Sequence, residues 1–380
     1  MIQKILIFNY TGWNQTISSL IEGLKSRLEL ELFSTTHSNY GKSISILSER
    51  KYKVSKIYNI KDRDAPSLYT SSIVIDTPTY IEECQELMDW ADLIVIFDNN
   101  GTETSAHFYN DKNIIDPTIH QYGLRYHKDK TVMISPGDFS GGDKMYGNYL
   151  GAEPDCYKVY FKREKSLDLE WADNVETMPF SAEERYFVAG KDFDNIWENK
   201  KFKLSALFRD IGIPERADIL GKLVTKYGKD ENCITDNVFG RSWGQDNIDT
   251  ELEGTEIGEC VRHHHKYFDI ISQTKINIEG RPGNTAFYTG RMMESLANGC
   301  CYFYPIPTYN VDFPNGLVDG EDFIIYSSGE DLIEKIDYYS SHEDEMKTIA
   351  ENGFNKLLKY HTSEVRAKEF IATCEKYMYD

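Results

Sequence analysis

The stretch Ile276-Asn277-Ile278-Glu279-Gly280-Arg281-Pro282-Gly283-Asn284-Thr285-Ala286-Phe287-Tyr288-Thr289-Gly290-Arg291-Met292-Met293-Glu294-Ser295-Leu296-Ala297-Asn298-Gly299-Cys300 decides how this chain folds. An apolar run gives way to a glycine-rich loop, then to a helical pattern, a glycine stop and a second apolar run from Cys300 to Tyr304. Strand, loop, helix and strand in that order form one repeat of a parallel α/β sheet. The Gly280–Gly283 loop lets backbone approach a ligand closely. The helix after it, expected from Asn284 to Asn298, offers unpaired N–H groups and a partial positive charge at its start. The two together suit a diphosphate. Asn284 and Thr285 stand at that start, and Arg281 adds a charge-assisted contact. Along the helix, Asn284, Arg291 and Asn298 lie seven apart and share a face, with Glu294 three beyond Arg291. A carboxylate there can accept both hydroxyls of a ribose while Arg291 neutralises phosphate. An ordinary surface ion pair is the competing explanation, and spacing alone does not choose.

The same alternation extends outward. Phe202–Phe208 is expected as a strand, Pro214–Lys226 as a helix, Cys233–Thr235 as a short strand and Thr255–Thr274 as a helix. Asp331–Tyr339, Glu343–Tyr360 and Ser363–Tyr377 close the chain as helices. Arg209 follows the first of these strands. Arg216 falls in the first turn of the next helix, where the dipole disfavours a cation. A bound diphosphate explains it, as does a salt bridge to Glu215 or Asp218. In the N-terminal half, Ile5–Asn9 is a buried parallel strand, followed by the loop Tyr10–Asn14 with Gly12. A helix then carries Ile17, Leu20, Ile21, Leu24 and Leu28 at helical spacing. Lys53–Ile60, Leu93–Phe97, Thr131–Ser135 and Tyr157–Phe161 are further strands, and Tyr80–Ala91 is helical. The acidic stretch Ser166–Lys200 reads as an irregular connection. The organisation is two Rossmann-like α/β domains, 1–190 and 200–360, with a terminal helix at 361–380. Ligands gather at the carboxyl ends of such strands, which singles out Asp98 and Asp138, with His120 behind them. Turn chemistry explains each of these singly.

Composition narrows the class. The chain of 380 residues is 40% hydrophobic and 27% charged, as globular proteins are, and its length fits two domains. A net charge of −20 disfavours a nucleic-acid partner without ruling out a local basic cleft. Seven scattered cysteines without a C-x-x-C pair argue against a disulfide framework or a structural zinc, and fit a reducing cytoplasm. No apolar run approaches the ~18–20 residues that span a bilayer, and the N-terminus lacks the charged start of a signal peptide. His263, His264 and His265 are consecutive in an expected helix, so they diverge and do not converge on one metal. Asp192-Phe193-Asp194 and Asp168-Leu169-Glu170 lie in the acidic connection, outside an apolar strand. Asn9–Asn14 lacks the G-x-G-x-x-G pattern of a dinucleotide oxidoreductase.

The segment from about Lys266 to Thr362 resembles the C-terminal domain of group 1 glycosyltransferases, and within them the CgeB-like family. The resemblance rests on Tyr267–Asn277, on the run Arg291-x-x-Glu294-x-x-Ala297-x-Gly299, on Gly320 before Phe323–Tyr326, and on Gly353 followed by His361-Thr362. It covers roughly a quarter of the chain. It implies a GT-B fold, in which two Rossmann-like domains face across a cleft and the last helix returns to the N-terminal domain. It also implies a nucleotide-sugar donor, UDP- or GDP-linked, held by the C-terminal domain. Glu294 would take the ribose and Arg209 or Arg291 the diphosphate. Hexosyl transfer then needs no cofactor and no bound metal. Many relatives carry E-x7-E, and here Ala286 stands at the first of those positions. The sugar-contacting acid is therefore missing or supplied by Glu279.

The implied activity is sugar transfer to a glycan, a lipid-linked sugar or a protein. An inverting enzyme needs a general base on the acceptor hydroxyl, and Asp138, Asp98 and His120 are the candidates. The donor-binding set is Gly12, Arg209, Arg216, Arg281, Gly283, Asn284, Thr285, Arg291 and Glu294. Two other readings compete: glucosylation of modified nucleic-acid bases, and a non-catalytic nucleotide-sugar or glycan-binding protein.

Overall fold

A computed structural model describes residues 1–9, 15–25, 29–34, 57–59, 86, 88–97, 127–135, 157–168, 170–208, 214–234, 267–280, 289–307 and 314–379. The chain forms two compact units. The first comprises Met1–Pro179 and Arg366–Asp380, the second Phe180–Val365.

The first unit is built on a parallel sheet. Its strands are β1 (Lys4–Asn9), β2 (Glu29–Ser34), β3 (Ile57–Asn59), β4 (Leu93–Phe97), β5 (Thr131–Ser135), β6 (Tyr160–Lys162) and β7 (Val175–Thr177), with helix α1 (Gln15–Lys25) after β1. The spatial order is β3-β2-β1-β4-β5-β6-β7. Strands buried on both faces must be apolar throughout, and Ile5–Ile7, Leu93–Ile96 and Val132–Ile134 are. Leu20, Ile21 and Leu24 of α1 cover one face together with Ala367, Phe370 and Cys374 of the last helix, α7 (Ser363–Tyr379). Phe370 lies against Phe161, ring centroids 5.0 Å apart. Ile96, Met133, Tyr157, Tyr160 and Val175 form the other face.

The second unit has a five-stranded parallel sheet in the order β12-β11-β10-β8-β9. These strands are β8 (Phe202–Ser205), β9 (Cys233–Ile234), β10 (Thr274–Ile278), β11 (Cys301–Pro305) and β12 (Ile324–Tyr326). Its helices include α2 (Phe193–Glu198), α3 (Pro214–Tyr227), α4 (Gly290–Ala297), α5 (Gly329–Ser341) and α6 (Glu343–Tyr360). The strand order reverses between β8 and β10, and in open α/β sheets the crevice outside the carboxyl ends at such a reversal is where ligands bind. Gly353 explains itself here: a Cβ on it would lie 2.3 Å from the Asp322 carbonyl oxygen, so α6 packs against that backbone only with glycine.

Two expectations are corrected. Ser166–Lys200 is not irregular: it supplies β7 at the sheet edge, a 3-10 turn at Glu184–Tyr186, and α2. Its Asp192 caps α2 by accepting from the Asn195 N–H, and Asp194 pairs with Lys347 at 2.7 Å. Strand β2, with its Glu-Leu-Glu-Leu alternation, was not anticipated and pairs along its whole length with β1. Helix α4 begins at Gly290 with Thr289 as its N-cap, which puts Arg291 in its first turn; the expected start near Asn284 lies outside the described residues. Asn298 is the residue that closes α4, followed by Gly299 in the left-handed region at φ 63°.

Candidate functional site

Gly12, Asp98, His120, Asp138, Arg209, Arg281, Gly283, Asn284 and Thr285 lie outside the described residues. Arg216, Arg291 and Glu294 are described, and all three belong to the second unit.

The site grows from the carboxyl end of β10. Glu279 continues that strand, and its N–H donates to the Phe303 carbonyl of β11 at 2.9 Å. Gly280 follows because the Phe208 ring lies where a Cβ would stand, 2.3 Å from its Cδ2. The Glu279 side chain is 1% exposed, and three described side chains donate to it. Arg291 Nη1 meets Oε1 at 2.6 Å, while the Thr289 and Tyr302 hydroxyls each donate to Oε2 at 2.9 Å. The Tyr326 hydroxyl donates to the Glu279 carbonyl at 2.5 Å. A buried carboxylate is tolerated when paired and hydrogen-bonded in this way. Both oxygens of Glu279 are thereby engaged within the protein, and the carboxylate anchors Arg291.

Thr289 links loop to helix. Its hydroxyl gives its proton to Glu279 and accepts from the Met292 N–H at 3.2 Å, capping α4. Arg291 is therefore held in the first turn of α4, where Glu279 compensates the unfavourable end of the dipole. The Arg291 side chain as a whole remains 32% exposed. Burial works against the charge on Arg291, but Glu279 and the nearby phenols outweigh it and hold the guanidinium protonated. Arg216, in the first turn of α3, is half-buried and feels both Glu279 and Arg291. Burial, the larger effect, and Arg291 lower its pKa against the pull of Glu279. Of the two carboxylates named above as partners for Arg216, Asp218 is engaged by Lys222, 2.5 Å from its Oδ1. Arg216 and Arg291 thus both feel the charge of Glu279.

Glu294 lies one turn further along α4 and is 6% exposed. Burial raises its pKa above the ordinary carboxylate value, opposed by the Tyr267 hydroxyl, Arg185 and Arg291. Three of its neighbours escaped the sequence reading as site residues. Glu183 and Arg185 come from the acidic stretch, where a 3-10 turn has no periodic signature, and Tyr186 follows them. Arg185 Nε and Nη2 donate to the two oxygens of the fully buried Glu183 at 2.5 and 3.2 Å. The turn is tied to α4 by Asn298, whose amide donates to the Tyr186 and Glu294 carbonyls, each at 2.8 Å. A polar thread runs beneath: Ser205 donates to Asn277 at 2.9 Å, Asn277 to Ser295 at 2.6 Å, and Ser295 to the Arg291 carbonyl at 2.6 Å. It fixes α4 against β8 and β10.

Two parallel α/β units are the architecture of the GT-B class of fold, and solved structures of that class match this chain. Residues 216–372 match the model of the family described as glycosyl transferase-like. The chain is similar in structure to a glycosyltransferase from Rickettsia africae ESF-5, with TM-score 0.62, 10% identity, and coverage of 100% of this chain and 99% of that one. It is also similar to Anabaena HepE solved with UDP (TM-score 0.59, 8% identity, 98% and 100% covered). The sucrose-phosphate synthase of Thermosynechococcus elongatus is a third (TM-score 0.56, 9% identity, 98% of each chain covered). These are likenesses of fold. Comparison with curated protein sequences gives no match. Among the described residues no helix is long and apolar enough to cross a membrane.

Proposed function

We propose that this chain is a GT-B glycosyltransferase that binds a nucleotide-sugar donor at the β10–α4 corner of its second unit. One observation carries the reading. Glu279 locks Arg291 at the carboxyl end of β10, and Glu294 follows on the same helix, within a segment that matches a glycosyl transferase-like family. Arg291 and Arg216 meet the diphosphate, with the first turn of α4 adding its N–H groups. Glu294 accepts hydrogen bonds from the ribose hydroxyls. With two fixed guanidinium charges to stabilise the leaving nucleotide, transfer proceeds without a bound metal. HepE is recorded with UDP and with UDP-glucose, which favours a uridine donor and hexosyl transfer here, with a GDP-sugar as the second choice. Arg209, Arg281, Gly283, Asn284, Thr285 and Gly12 complete the donor set in this reading. Asp138 or Asp98, with His120 behind them, supplies the base that activates a glycan, lipid-linked or protein hydroxyl in the cytoplasm.

The test is donor turnover. The full chain is incubated with UDP-glucose or GDP-mannose in EDTA, and release of UDP or GDP is followed with and without a panel of sugar acceptors. Release that persists in EDTA and disappears in Arg291→Ala supports the proposal. Tight donor binding without release or transfer would replace it with a binding protein. Absence of binding would overturn it.

A further inference from the structure

The first unit carries a cavity of about 640 Å³ at the amino-terminal edge of its sheet. Its lining includes Lys128 from the 3-10 turn before β5, Tyr157 and Lys158 from the approach to β6, Asp173 and Asn174 from the approach to β7, and Tyr377 from α7. Ligands of open α/β sheets gather at the opposite, carboxyl end of the strands, so the usual rule of the fold does not account for this cavity. Its frame is tied together. β5 pairs with β6, and the Lys158 N–H donates to the Thr131 carbonyl at 3.0 Å, which keeps the two lysine-bearing segments side by side. The Asn174 amide donates to the Tyr157 carbonyl at 2.8 Å. The Tyr377 hydroxyl lies 2.7 Å from the Asp173 carbonyl oxygen and 2.8 Å from Glu176 Oε1. A cavity walled by groups held in this way is formed before a ligand arrives. Its charge also sets it apart. The chain carries −20, and Lys222, Lys226, Lys275 and Lys347 each meet a carboxylate. Among the described residues, no ion pair engages Lys128 or Lys158. Lys376 brings a third cation, its Nζ 5.0 Å from the centroid of the Tyr377 ring.

We infer that this cavity is a second binding site, which takes a sugar unit bearing a carboxylate or a phosphate. Lys128 and Lys158 meet the anionic substituent. The Asp173 carboxylate accepts from sugar hydroxyls, and the Tyr377 ring offers carbon surface to the C–H face of the sugar. A carboxylate among the lysines favours a ligand that carries hydroxyls over a bare phosphate or a nucleic-acid backbone, which it repels. The volume falls within the roughly 300–1,000 Å³ of small-molecule sites. The site lies wholly in the first unit and the donor corner in the second, so this inference does not depend on the donor reading.

The experiment is calorimetric titration of the full chain with tri-galacturonate, mannose-6-phosphate and neutral maltotriose. Wild type is compared with the double variant Lys128→Gln/Lys158→Gln and with Arg291→Ala. Lys128 is exposed and Lys158 half-buried, so the double variant keeps its fold, as an unchanged thermal melt would show. The expected result is that the wild type binds at least one anionic probe about tenfold more tightly than maltotriose, and that the double variant loses about tenfold in that affinity. Which probe binds distinguishes carboxylate from phosphate. Affinity also falls between about 0.05 and 0.5 M salt. UDP-glucose binds wild type and double variant alike, and Arg291→Ala keeps the anionic sugar. Binding of neither anionic probe, maltotriose binding as tightly as they do, or equal affinity in the double variant would overturn the inference. Lysine-dependent capture of phosphatidylglycerol vesicles without binding of either anionic sugar would overturn it in favour of a membrane surface. Failure of UDP-glucose to bind the wild type counts against the donor reading alone.

Discussion

The two sheets of this protein are made in different ways. In the first, the inner strands β1, β4 and β5 are apolar from Ile5 to Ile7, Leu93 to Ile96 and Val132 to Ile134, and the apolar sides of α1 and α7 cover one face. In the second, the central strand β10 carries Thr274 and Asn277 in full burial and runs into Glu279, and all three are hydrogen-bonded. Hydrophobic burial sets the first sheet and tolerates exchange of one aliphatic side chain for another. A satisfied polar network sets the second, fixing the register of β10 against α4 and holding an arginine at the carboxyl end of β10. Binding geometry of that kind is preorganised at the cost of tolerance to substitution.

Substitution of Glu279 by Ala is expected to have the largest effect. It leaves Arg291, Thr289 and Tyr302 without their acceptor, costs about 3 kcal/mol in denaturant unfolding, and abolishes nucleotide-sugar binding. Lys162, at the carboxyl end of β6, should respond in the opposite sense. Burial pushes its ammonium down from 10.5 to about 7, with Glu164 opposing. The folded state thus gives up a proton that the unfolded chain keeps, so this group adds stability as pH rises from about 7 to 10 and adds no further dependence below that window. Lys162→Met should raise stability at pH 7 by about 2 kcal/mol and remove the gain on going to pH 10, as read by thermal melts at both values. Asn277→Ala breaks the thread from Ser205 to Ser295 and should cost about 1.5 kcal/mol, with a loss of donor affinity because α4 is no longer pinned. Ile94→Val in the first sheet should cost about 1 kcal/mol and leave donor affinity unchanged. Equal sensitivity of donor affinity to Ile94→Val and Asn277→Ala would erase the contrast between the sheets.

The difference also explains what could be read without coordinates. Apolar strands such as Leu93–Phe97 and Thr131–Ser135 announce themselves by composition, and so the α/β class was legible. Strand β2 was not: the Leu residues of Glu29-Leu30-Glu31-Leu32 continue the pattern of the helix before it. Strand β7 has only three residues, Val175–Thr177, too few for any period to emerge. Arg291 and Glu294 stood out through a glycine-bounded helix and its spacing. Glu279 did not show which way its carboxylate turned, because Thr289, Arg291 and Tyr302 approach it from three separate places in the chain. Arg185 and Glu183 gave no signal, since a 3-10 turn inside an acidic stretch has neither periodicity nor a motif.

The central claim is that the β10–α4 corner holds the nucleotide of a sugar donor. It is tested most directly by metal-free calorimetric titration of wild type and Glu294→Gln with UDP-glucose and GDP-mannose at pH 7.5. The account predicts saturable binding of one donor by the wild type and at least about a tenfold loss in a folded Glu294→Gln. Equal affinity in the two proteins, or no binding by either, would contradict it.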